Sequence, residues 1–160
     1  MTRLVNDPQA FVGEMTEGFV AAHPAVERAA DGGVVRADEL GPGKVAVVIG
    51  GGSGHYPAFA GLVGSGLAAG AAMGNVFASP AAAHVDSIAR TAERGGGVLL
   101  TYGNYAGDVL NFDEAQDSLR AAGIPCETVV VTDDVSTAPP DRRHLRRGIA
   151  GDLVVFKCAG

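Results

Sequence analysis

The stretch Lys44-Val45-Ala46-Val47-Val48-Ile49-Gly50-Gly51-Gly52-Ser53-Gly54-His55-Tyr56-Pro57 decides the fold. Its first half is apolar without the polar alternation of a half-exposed strand. A continuous run of Val, Ala and Ile reads as a parallel strand buried on both faces. Its second half is a glycine-rich loop leaving that strand. A buried strand that empties into glycines is the start of an α/β unit in which backbone must approach a ligand closely.

Outward from this point the same grammar repeats. Downstream, Pro57 to Gly66 reads as a short helix, Ala68 to Met73 as a second strand and Pro80 to Glu93 as a helix with Val85, Ile88, Ala89 and Ala92 on one face. Val98 to Tyr102 is a third strand, Phe112 to Ala122 a helix, Cys126 to Val131 a fourth strand and Leu153 to Phe156 a fifth. Asp133 to His144 between them is a polar loop containing proline. Upstream, Asn6-Asp7-Pro8 opens a helix whose Phe11, Val12, Met15, Phe19 and Val20 recur at intervals of three and four, and Pro24 ends it. Val34-Val35 is a short strand and Gly41-Pro42-Gly43 a turn. Strand, loop and helix at this spacing predict a mainly parallel sheet with helices on both faces, doubly wound. The expectation is one α/β domain over residues 1–160, belonging to a longer polypeptide.

Composition narrows the class of function. The 160 residues are 47% hydrophobic and 19% charged, as expected of a soluble globular protein. The 24 glycines cluster between apolar runs instead of forming a low-complexity tract. A formal charge of −6 argues against nucleic acid as partner. Arg142, Arg143, Arg146 and Arg147 form the one basic cluster and read as a solvated surface. No apolar stretch is long enough to span a bilayer and no secretory segment is evident, so a cytoplasmic location without membrane partners is expected. Cys126 and Cys158 lack metal-ligand spacing and lie in strand-like runs, so both are expected as buried, reduced thiols, with no metal site.

In open parallel sheets ligands bind beyond the carboxyl ends of the strands. Two loops have that address: Gly50 to Pro57, and Gly103-Asn104-Tyr105-Ala106-Gly107-Asp108. If they open on one edge, Ser53, His55 and Asp108 converge. The familiar glycine motifs each fail at one position. A Walker loop needs Lys-Ser/Thr where His55 stands, and a dinucleotide fingerprint meets His55 or Pro57 in place of its last glycine. A nucleophile elbow beginning at Gly51 also meets His55 where glycine is required. What remains is a collar of backbone amides around a serine and a histidine, suited to a small oxygen-rich ligand or an anion. A histidine near neutral pKa can take the proton of a hydroxyl, and a carboxylate can bind that hydroxyl or serve as the base. The plainer alternative is an exposed loop histidine and an Asp108 that caps the helix near Asn111 and Phe112.

At these residues the sequence resembles the dihydroxyacetone kinase family, in the amino-terminal part of its sugar-binding subunit. The likeness runs in order through Leu4-Val5-Asn6-Asp7-Pro8, Lys44 to Pro57, Phe77-Ala78-Ser79-Pro80, Gly97-Val98-Leu99-Leu100, Asn104 to Phe112, Thr132-Asp133-Asp134 and Arg146 to Gly151. The resemblance implies that Gly52, Ser53, Gly54, His55, Gly103 and Asp108 bind substrate, and that His55 and Asp108 act in catalysis. It implies an ATP-dependent kinase for a short hydroxyketone, a homodimer, and ATP with magnesium held on a separate nucleotide-binding domain or subunit rather than here. It also implies a second histidine that captures the substrate carbonyl covalently. In family order that residue lies well beyond position 160, so none of His23, His55, His84 and His144 is assigned to it, and residues 1–160 alone are expected to be inactive. Two departures bear on substrate: Tyr56 stands where the family usually has Glu, and Gly103 where it often has Lys. These forms resemble members acting on the four-carbon ketose erythrulose rather than on dihydroxyacetone. A non-catalytic sugar-sensing co-regulator of the same fold is the alternative.

Overall fold

Along the central strand, Ala46 and Val48 pack on one face of the sheet while Val47 and Ile49 pack on the other. This is why the run shows no polar alternation: a period of two places successive side chains on opposite faces, and here both faces are core. The computed structural model describes residues 6–29 and 32–160, so Leu4 and Val5 of the opening motif lie outside the described residues. In chain order the elements are α1 (Phe11–Ala22), β1 (Val26–Ala29), β2 (Gly33–Arg36), β3 (Ala46–Gly52), β4 (Gly70–Gly74), α2 (Ala82–Ala92), β5 (Val98–Gly103), α3 (Ala106–Ala121), β6 (Cys126–Val131) and α4 (Gly151–Ala159).

The six strands lie in the order β1-β2-β4-β3-β5-β6. β4, β3, β5 and β6 are parallel, and β1 and β2 add an antiparallel edge beside β4. Helices cover both faces, as the alternation predicts. α2 brings Val85, Ile88 and Ala89 and α3 brings Phe112, Ala115 and Leu119 to the face that carries Val48, Leu100 and Tyr102. α1 and α4 bring Phe19 and Phe156 to the face that carries Val47, Ile49 and Met73. From β3 the chain goes to β4 on one side, then crosses over through α2 to β5 on the other. The connections therefore diverge between β3 and β5, and the carboxyl ends of those two strands flank a crevice.

Four sequence expectations need correction. Leu153 to Phe156 is not a strand but the body of α4, in which Phe156 is buried while Leu153 and Val154 are more than half exposed. A four-residue apolar run does not distinguish strand from helix, and here the Asp133 carboxylate accepts the N–H groups of Ile149 and Gly151 and starts a helix. α3 begins at Ala106, six residues before Phe112, so Asp108 stands in its first turn and not in a loop. Pro57 to Gly66 holds only a single 3₁₀ turn, Ala60–Leu62. Cys126 is buried in β6, where burial pushes its thiol up to about 11, but Cys158 is exposed on α4. The strand β1 has no counterpart in the sequence reading. Among the described residues no helix is long and apolar enough to cross a membrane.

Candidate functional site

The crevice between β3 and β5 opens into a cavity of about 500 Å³. Three segments wall it. The first is the end of β3 and its collar, with Gly50, Gly51, Gly52 and His55. The second is the end of β5 and the start of α3, with Gly103, Tyr105, Gly107 and Asp108. The third comes from the far end of the chain, with Gly148, Ile149, Asp152, Leu153 and Phe156.

The collar turns tightly because Ser53 N–H donates to Asn75 C=O at 3.3 Å and Gly54 N–H to Val76 C=O at 2.5 Å. A Cβ on Gly54 would strike the Val76 carbonyl, so only glycine lets the two loops touch here. His55 emerges from the turn exposed, with its ring edge-on to Phe77 at 5.4 Å and to Phe59 at 6.4 Å. These contacts hold the imidazole at the cavity rim while leaving its nitrogens without a protein partner to displace.

Of the residues singled out in the sequence, the structure brings Gly52, His55, Gly103 and Asp108 into one cavity. Ser53 and Gly54 are not in its wall. Ser53 is 1% exposed and its Oγ has no partner. Tyr56 also stays out: it is 63% exposed and its ring lies edge-on to Phe19.

Asp108 sits where helix α3 begins, and the exposed N–H groups of a first turn favour negative charge. Burial nonetheless raises its carboxyl above the ordinary range, opposed by the Ser79 hydroxyl, the backbone and the charge of His55. Asn111 Nδ2 in turn donates to Ser79 Oγ at 3.2 Å and positions it. One carboxylate oxygen, Asp108 Oδ1, is buried with no partner. A carboxyl raised in this way and lining a cavity has the chemistry to take a proton from a bound hydroxyl.

The third wall was not visible as a site in the sequence. Asn104 Nδ2 donates to the carbonyls of Arg146 at 2.7 Å and His144 at 3.2 Å. Arg147 donates to Asn104 C=O at 3.1 Å and lies over the Tyr105 ring at 5.0 Å. Arg146 Nε donates to Ala138 C=O at 2.9 Å. Arg147 is thus a tie that draws residues 146–152 against the cavity, Arg146 ties them to the preceding loop, and only Arg142 and Arg143 fit the description of a solvated surface. This strap delivers Asp152, whose carboxyl is pushed up to about 7 by burial first and then by the charges of Asp133 and Asp108. Asp152 Oδ1 is a second buried oxygen without a partner. An unannounced Asp on an apolar run gives no motif; the signal available was only its place, one turn into a segment beginning Arg-Arg-Gly.

A doubly wound sheet with a carboxylate-bearing, mainly apolar cavity at the divergence of its crossovers has the address at which such sheets bind small ligands. The particular kind follows from comparison: the chain belongs to the Dak1 domain family, whose model matches residues 17–160. It is similar to a protein of Pectobacterium atrosepticum named L-erythrulose kinase, 63% identical over 157 residues, with 98% of this chain and 27% of that one covered. It is 57% identical over 159 residues to the D-erythrulose kinase of Mycolicibacterium smegmatis, with 99% and 27% covered. Among solved structures it superposes on the dihydroxyacetone kinase from C. freundii in complex with AMP-PNP and Mg2+. The TM-score is 0.87 at 35% identity, covering 99% of this chain and 31% of that one. The chain spans between about a quarter and a third of the length of these relatives.

Proposed function

We propose that residues 1–160 are the amino-terminal ketose-binding domain of a longer kinase, which phosphorylates a short-chain hydroxyketone such as erythrulose or dihydroxyacetone. The observation that carries this reading is the pairing of His55 and Asp108 across a cavity whose buried carboxylate oxygens lack partners. Such oxygens cost free energy unless a ligand supplies hydrogen-bond donors, and a polyhydroxy ketone supplies them. The names of the relatives point to the same ligand class and to phosphoryl transfer.

In this reading the backbone of Gly52 and Gly103 admits the ligand closely, and His55 and Asp108 bind its hydroxyls. As the hydroxyl oxygen bonds to phosphorus, its proton passes to the Asp108 carboxylate, while the bond between phosphorus and the donor's leaving oxygen breaks. Holding the reactants in line is worth far more than any single contact. The cavity wall contains no lysine or arginine. Among the described residues, no group of three His, Cys, Asp or Glu side chains could hold a metal ion. The residues here therefore do not fit a nucleoside triphosphate with magnesium, and another domain or subunit is proposed to bring the phosphoryl donor. A carbonyl-capturing histidine is likewise assigned to another part of the protein, and a homodimer in the cytoplasm remains part of the proposal.

The test is phosphorylation by the full-length protein, with ATP and magnesium, of dihydroxyacetone and of both enantiomers of erythrulose. Turnover of at least one ketose, lost in His55→Ala and Asp108→Asn, is the expected result. Binding of ketoses without any turnover would make the chain a sugar-sensing module and overturn the kinase reading.

A further inference from the structure

Asp152 is a carboxylate with no protein function on view. It stands in the first turn of α4, but the start of that helix is already capped by Asp133, which accepts the N–H groups of Ile149 at 2.8 Å and Gly151 at 2.9 Å. Asp152 lines the cavity, and its Oδ1 is buried with no hydrogen-bond partner. The space it occupies is made by two glycines. A Cβ on Gly148 would come within 2.7 Å of Asp152 Oδ1, and one on Gly103 within 3.0 Å of Asp152 Oδ2. The carboxylate therefore lies in a slot between two bare backbones, and a side chain on either would displace it.

The cavity thus holds two buried acceptors on two different walls, Asp108 at the start of α3 and Asp152 at the start of α4. Their charges repel across it. A ligand long enough to place a hydroxyl at each wall relieves both oxygens at once, whereas a shorter one leaves the second unpaired. We propose that Asp152 is a specificity residue: it accepts a hydrogen bond from the hydroxyl that a four-carbon ketose carries beyond the three carbons of dihydroxyacetone, with Gly103 and Gly148 making room for it. The inference rests on the ketose reading above and names the group that selects chain length within it. Unpaired buried polar groups discriminate more sharply than apolar fit, because the wrong ligand leaves them desolvated and unsatisfied.

The test compares kcat/KM for erythrulose and for dihydroxyacetone in the full-length protein and in Asp152→Ala. The ratio of the two is expected to fall by about tenfold to a hundredfold, the three-carbon substrate losing less. Equal losses for both ketoses, or an unchanged ratio, overturn the proposal. If Asp152→Ala loses its near-ultraviolet circular dichroism, Gly103→Ala, which crowds the same carboxylate, is read in its place against the same outcomes. If the parent protein phosphorylates neither ketose, the kinase reading fails by itself. Titration of parent and variant with the two ketoses then decides on Asp152: weaker binding of erythrulose alone upholds its role, and any other pattern overturns it.

Discussion

Two of the cavity's three walls are built in different ways. The glycine collar after β3 is local in its residues but not in its closure: Gly50 to His55 form one contiguous run, while two backbone hydrogen bonds to Asn75 and Val76, beyond β4, close the turn. The opposing wall from residues 146–152 is remote. It stands against the cavity because Asn104 and Asp133 hold it by bonds that span 16 to 42 residues of sequence. The local wall carries the histidine and can be recognised from its residue types; the remote wall carries Asp152, which no local pattern marks. Groups on a turn that leaves a central strand keep their geometry as long as the sheet stands. Groups on a strap depend on every tie that holds it.

The contrast can be broken most easily at the two groups proposed to act on the ketose. Asp108→Asn retains a hydrogen-bonding side chain but cannot take a proton. Its kcat in the full-length protein is expected to fall by about a thousandfold with KM changed little. A rise in KM with kcat intact would reduce Asp108 to a binding residue. His55→Ala should cost about a hundredfold in kcat/KM, with the melting temperature unchanged because the side chain is exposed and outside the core. A matching loss of stability would show that the local wall is not independent of its side chains.

The remote wall is sharpened by its ties. Asp133→Ala removes the acceptor of two helix-start N–H groups and should destabilise the fold by about 1 kcal/mol in urea denaturation. It should also lower discrimination between ketoses, because α4 positions Asp152; His55→Ala should leave thermal stability as it was. The smallest effect expected is one of pH. The Asp152 carboxyl is raised from 3.8 to about 7 in the folded protein. Between those values the folded state binds more proton than the unfolded chain, so this group makes stability fall as pH rises from about 4 to about 7. Asp152→Asn should match the parent near pH 4 and exceed it above pH 7. The gap is on the order of 1 kcal/mol or less after allowance for solvent screening. Parallel stability curves for parent and variant across that window would refute the buried, ionising state of Asp152.

Legibility followed the range of the interactions. Val85, Ile88, Ala89 and Ala92 announced α2 because a helix buries one face at a period that the sequence displays. Leu153 to Phe156 did not announce α4, since four apolar residues satisfy either period and the deciding contact, Asp133 with Ile149 and Gly151, comes from elsewhere in the chain. The first turn of α3 was hidden by Gly107, a poor helix former that is kept there against Ser79.

By itself the sequence determined the order of the parallel strands along the chain, the glycine collar, and the position of His55 and Asp108 just beyond the carboxyl ends of β3 and β5, because each depends on local residue pattern and on the alternation of strand and helix. Only the tertiary structure decided that Ser53 and Tyr56 stay outside the cavity, that Arg146 and Arg147 are ties, and that Asp152 stands opposite Asp108. Those outcomes depend on which distant segments meet, and a residue's type carries no record of the partner that will bury it.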